Sequence, residues 1–260
     1  MHRPDSPVPP LLILLIKLLL VPLLLAAVTL AARRWGSGVA GWLGGFPIVA
    51  GPILLILTLE QGNAFGALAA EAALEGVGPT MLFTILYARL SARLPWWQTV
   101  LLAYCGWVAA VALVFQAPPG LGVAAAIGGT GLALALWLVR PPPGPVLPQR
   151  TNRLELPARI LVGVLLTFVS SGLAAAFGPR LAGYAAIFPL VASIVASFSH
   201  ALHGRDSAAR FLAGWARGMW SVGIFCLLLA VLLPRISVAL AFAAALAVTA
   251  TLHALLRPRK

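Results

Sequence analysis

The chain has six acidic residues, Asp5, Glu60, Glu71, Glu75, Glu155 and Asp206, against 18 Lys and Arg. Three of the six, Glu60, Glu71 and Glu75, fall close together within strongly apolar sequence. Glu71 and Glu75 are four apart and share a helix face. A charge at the middle of a bilayer costs at least ~2.5–3.5 kcal/mol on insertion scales, so such residues face a bundle interior or a cavity. A carboxylate held there is suited to carrying protons. Arg217 lies in a second apolar stretch and is the natural partner for an anion or for Glu75. Glu60 and Gln61 sit in "LEQGN", which reads as an interfacial hairpin. His200 and His203, in "HALHGRD", stand at a helix end, where they could form a pH-sensitive or substrate-contacting entrance. Histidines three apart can share a metal, but no second cluster supplies the remaining ligands, so no metal site is expected.

These residues need elements that hold them in a membrane. Of the 260 residues, 61% are hydrophobic and 9% are charged. A soluble domain has about 25% charged residues, and here the apolar runs repeatedly exceed the ~20 residues that cross a bilayer. The reading is an all-α polytopic membrane protein. About nine spans are predicted, near 10–32, 38–60, 64–88, 97–116, 120–139, 157–177, 181–201, 208–232 and 236–256. Residues 140–157 form a proline-rich polar linker. With this count, thirteen Arg and Lys residues, among them Arg33, Arg89, Arg140 and Lys260, fall on one side, and only Arg3, Arg180 and Arg235 on the other. The bias places the N-terminus outside and the C-terminus in the cytoplasm. Lys17 and Arg159 are expected to snorkel to the interfaces. Cys105 and Cys226 read as buried thiols, not a disulfide framework.

Shifting the sequence by 142 positions aligns Gly36 with Gly178, Ala40-Gly41 with Ala182-Gly183, Phe46-Pro47 with Phe188-Pro189, Gly62 with Gly204, Gly76 with Gly218 and Arg93 with Arg235. Trp42 falls on Tyr184, and Glu75 falls on Arg217. The repeat unit is four spans, residues 1–116 and 157–260, with a bridging helix and linker at 117–156. Five spans separate equivalent helices, so the two units enter the membrane in opposite directions. This inverted-topology repeat is common in secondary transporters. It predicts that Glu75 and Arg217 meet near the pseudo-twofold axis or flank one cavity; the alternative is a buried pair that only fixes packing. Prolines 47, 52 and 189 are read as helix breaks. Each removes a helical hydrogen bond and frees a carbonyl in the preceding turn, which needs a protein or water partner in a membrane. Ser170, Ser171, Ser193 and Ser197 lie in apolar helices and read as packing residues. "AIGGTGLAL" likewise reads as a site of close helix contact.

Residues 159–256 resemble the small four-span GlpM family of bacterial inner-membrane proteins. The likeness rests on Arg159, "LAGYAAIFP" at 181–189, Gly204 and "GMW" at 218–220. It implies a bacterial inner-membrane location and an architecture rather than a reaction.

The residues themselves favour a secondary transporter or exporter of a small solute, with a central site at the repeat interface. An anionic solute could use Arg217, with Glu75 or Glu71 carrying protons. A lipid or lipid-linked-precursor flippase and a non-transporting assembly protein are the alternatives. No nucleophile–base set, phosphate loop or nucleic-acid signature is present, so neither an enzyme nor a cofactor is expected. The expected partners are membrane lipids and a small molecule or ion.

Overall fold

A computed structural model describes residues 23, 25–144, 156–161 and 178–255. Every regular element among them is helical. The order is α1 (Ser37–Gly44), α2 (Ala50–Gln61), α3 (Asn63–Leu90), α4 (Trp96–Val114), α5 (Leu121–Leu138), α6 (Gly178–Ala186), α7 (Leu190–His203), α8 (Arg205–Leu232) and α9 (Val238–Leu255). Residues 25–35 and 156–161 are also helical. Among the described residues, five runs are long and apolar enough to cross a bilayer: α4, α5, the broken run Gly178–His203, α8 and α9. Large apolar side chains such as Leu101, Val108, Leu134 and Leu240 point outward from them, as a lipid solvent allows. Most of the first and sixth predicted spans lies outside the described residues, as do Lys17, Ser170 and Ser171.

The centre is a pair of 28-residue helices, α3 and α8. They pack antiparallel: the Asn63 side chain, at the start of α3, donates to the Leu233 carbonyl just past α8 (3.1 Å), and Arg205, at the start of α8, donates to the Ala92 carbonyl just past α3 (3.3 Å). Each long helix is entered through a glycine. Gly62 (φ 91°, ψ 168°) and Gly204 (φ 82°, ψ 169°) adopt a conformation open essentially to glycine alone. They let the chain reverse sharply between α2 and α3 and between α7 and α8.

The predicted spans at 38–60 and 181–201 are each two helices. The short piece of one lies on a long helix: α1 on α8, and α6 on α3. Glycine permits this approach. A Cβ on Gly41 would collide with the Phe211 carbonyl and the Trp215 backbone nitrogen; one on Gly183 would collide with the Ala69 carbonyl and the Ala73 nitrogen. Glycines and partners alike are 142 positions apart. α5 lies along α3, with Gly128 against the Leu74 carbonyl and Gly131 against Gly78, so two of the three glycines of "AIGGTGLAL" serve close contact, while Gly129 faces open space.

Three expectations need correction. Cys226 is buried, but Cys105 is exposed on α4; the helix is apolar all round, so its outward face could not be told from its inward one. Arg159 does not snorkel. It is 1% exposed, donates to the Thr29 and Ser199 hydroxyls and lies 5.6 Å from the Phe198 ring. Ser193 and Ser197 also do more than pack: the Tyr104 and Tyr87 hydroxyls donate to them at 2.6 and 3.4 Å, tying α7 to α4 and α3.

Candidate functional site

The two Phe-Pro sequences interrupt their helices in the same way. Before Pro47, the nitrogen of Phe46 bonds the Leu43 carbonyl; before Pro189, that of Phe188 bonds Ala185. Around each proline the chain closes a three-residue turn, Ile48 to Phe46 and Leu190 to Phe188, both at 2.7 Å. With Pro189 at φ −75° and ψ 46°, this is an inverse γ-turn. The next helix then restarts on the proline carbonyl, bonded by Gly51 or by Ser193, both at 2.9 Å. The freed carbonyl of Ile187 accepts the Thr80 hydroxyl at 2.9 Å, which supplies the partner that a bilayer cannot.

Pro52 does not share this role. It sits in the first turn of α2, where a missing N–H has no intrahelical partner to lose. It starts a helix and breaks none, so the reading of Pro52 as a helix break is corrected.

Both breaks line one cavity of about 40 Å³. Its wall includes Gly44, Phe46, Pro47 and Val49 from the first break and Ala186, Phe188 and Val191 from the second, closed by Trp215, Met219 and Val222 of α8. Three pairs in that wall, 44/186, 46/188 and 49/191, are 142 apart. The lining side chains are apolar.

Glu75 is 4% exposed, but its partner is not Arg217. Arg180 binds it as a fork, Nη2 to Oε1 at 3.0 Å and Nε to Oε2 at 3.3 Å, and the Tyr184 hydroxyl donates to Oε2 at 2.6 Å. Arg180 and Tyr184 are four apart on α6, so one face presents both. The guanidinium also donates to the carbonyls of Val114, Phe115 and Ala117, 3.0–3.1 Å away, and lies 4.6 Å from the Phe115 ring. It thus sits at the negative end of the α4 dipole. The cluster pins the first turn of α6 to the end of α4 and the flank of α3. Gly76, beside Glu75, makes room for Tyr184 and Ile187, so this cluster and the second break are in contact.

One expectation fails here for a geometric reason, the meeting of Glu75 with Arg217. The contacts of Glu75 put it level with the end of α4 and the start of α6. Arg217 occupies the matching depth on α8 but points to the exposed face. Equal depth does not set rotation about a helix axis.

The other predicted residues are dispersed. Glu71 is half-buried one turn before Glu75, Glu60 is half-buried and Gln61 exposed at the end of α2. His200 and His203 end α7, half-buried. Tyr87 lies edge-on to His200 at 6.2 Å, and the His200 Nδ1 atom is buried without a hydrogen-bond partner among the described residues. No group of three metal-ligating side chains occurs among the described residues. Arg180 and Tyr184 were missed as site residues. The signal was there, since Tyr184 aligns with Trp42 and stands four residues from a cation, but hydropathy assigned Arg180 only to a loop.

No protein family, curated protein or solved structure matches the chain.

Proposed function

We propose that this chain is a secondary transporter or exporter of a small solute, built as two inverted repeats of four spans about a bridging helix, with its site between the two Phe-Pro breaks. The observation that carries this reading is the single cavity lined by both breaks. Broken helices inside a bilayer are stable only where their backbone is buried in protein or lines a cavity. In inverted-repeat transporters such paired breaks form the substrate site. The 142-residue offset supports the repeat, because it relates the broken turns, the glycine contacts and three pairs of cavity-wall residues.

In this reading α1 and α6 are the moving pieces. Each is a short helix held to a long one through glycine, and each ends in a γ-turn that acts as a hinge. The Glu75–Arg180–Tyr184 cluster is the lock on the α6 side. Opening there separates Arg180 from Glu75 and from the end of α4. The apolar wall selects a solute with an apolar portion, and opening of the lock exposes charged groups along its path. The bacterial inner membrane, the GlpM-like ancestry, and an N-terminus outside with a cytoplasmic C-terminus belong to the same proposal.

The test is reconstitution of the full chain into liposomes containing a pH dye, with a panel of carboxylates, amino acids and small neutral solutes added outside. Flux that is abolished by Val191→Trp, which fills the cavity, supports the reading. Absence of solute and proton movement across the panel overturns it.

A further inference from the structure

Trp42 and Tyr184 are an aromatic pair of the offset, and each engages a buried ionisable side chain. Tyr184 holds Glu75. Trp42 stacks on His253, ring centroids 4.1 Å apart and planes within 15°. His253, in the last turn of α9, is 7% exposed. Its Nδ1 lies 2.5 Å from the Ser221 hydroxyl of α8. The Phe46 ring meets it edge-on at 5.2 Å, and Phe46 lines the cavity at the first break. The Nε2 atom is buried with no hydrogen-bond partner among the described residues. Thr249, one turn earlier on the same face of α9, is fully buried and its hydroxyl also lacks a partner among the described residues.

Such orphaned polar atoms are rare in folded proteins and call for an explanation. The imidazole has one nitrogen committed to Ser221 and one open. Gaining a proton turns both nitrogens into donors, a state the Trp42 face favours as a cation–π contact. Losing it restores a neutral ring with one donor and one acceptor nitrogen, of which Nδ1 meets Ser221. Among the described residues, the groups shown against the ring are Ser221 from α8, Trp42 from α1 and Phe46 from the break, none of them charged. The nearest charge on that face of α8 is Arg217, one turn before Ser221 and exposed.

From this arrangement we propose that His253 is the proton-binding site that drives the first break, and that the coupling ion of the transporter is the proton. The inference rests on the transport reading and adds its energy source. Glu75–Arg180 then locks one short helix, while the charge on His253 controls the other.

The test uses the full-length protein in liposomes. Tryptophan emission is titrated between pH 5 and 8, the range in which histidine changes charge. A step is expected in the wild type and in His200→Gln/His203→Gln. It is lost in His253→Gln and in Trp42→Phe, and its midpoint moves in Ser221→Ala, which retains the imidazole if the Gln variant fails to fold. Spin labels on cysteines at exposed positions 48 and 240, in a Cys105→Ala background, report the break: the distance distribution changes between pH 5.5 and 8 only when His253 is present. A titration unaltered by His253→Gln, no titration at all, or a distance change that survives the substitution overturns the proposal. These readouts need no solute, so they separate its failure from failure of the transport reading. Should liposomes show solute flux that is indifferent to a pH gradient, transport stands and the proton assignment falls.

Discussion

The contact between Glu75 and Arg180 admits a quantitative test. Glu75→Gln keeps the volume and the Tyr184 hydrogen bond but removes the charge opposite the guanidinium. Hydrogen bonds to charged groups contribute about 1.5–3 kcal/mol each, and Arg180 keeps three carbonyl acceptors, so a loss near the lower end, about 2 kcal/mol, is expected. Arg180→Gln leaves a carboxylate that is 6% exposed with Tyr184 as its remaining donor. Breaking a buried pair from one side costs about 3–5 kcal/mol; the 23% exposure of Arg180 places this case near 3. The double variant should be little worse than Arg180→Gln alone, a coupling of roughly 2 kcal/mol, well beyond the ~0.5 kcal/mol within which independent sites add. The assay is reversible unfolding of the purified protein in mixed micelles, followed by tryptophan fluorescence. The parallel cycle of Glu75→Gln with Arg217→Gln should be additive, and the charge swap Glu75→Arg/Arg217→Glu should rescue nothing. Additive effects for Glu75 with Arg180, or coupling for Glu75 with Arg217, would refute the assigned contact.

Other outcomes follow from the packing. Gly41→Val or Gly183→Val should abolish the monodisperse folded species on size-exclusion chromatography, because a Cβ at either site meets backbone atoms. Thr80→Val should destabilise the protein by about 1–3 kcal/mol in the same unfolding assay, the cost of leaving the Ile187 carbonyl without its donor. Maleimide in detergent should modify Cys105 and spare Cys226 until the protein is unfolded, as read by mass spectrometry.

Much of the architecture was legible in the chain. Apolar runs announce helices for a bilayer because length and polarity are local quantities. Phe46-Pro47 and Phe188-Pro189 announce the breaks because proline lacks the donor that a helix requires. Pro52 shows the limit of that rule: the same residue two positions inside a helix start is harmless, and only the start position, unknown from sequence, separates the two cases. The offset of 142 could be read directly, and with it the equivalence of Gly41 to Gly183.

What the sequence by itself determined was therefore the helical membrane class, the places where helices are interrupted and which positions correspond. Tertiary structure alone decided the neighbours. Glu75 and Arg217 correspond in depth, yet Arg180 takes the carboxylate, because the approach of α6 to α3 through Gly183 and Gly76 sets which faces meet. His253 falls near the end of the span predicted at 236–256, and only packing places Trp42, Phe46 and Ser221 around it. Hydropathy reports position along the membrane normal; rotation about each helix axis comes from contacts distant in sequence, and rotation chooses the partners.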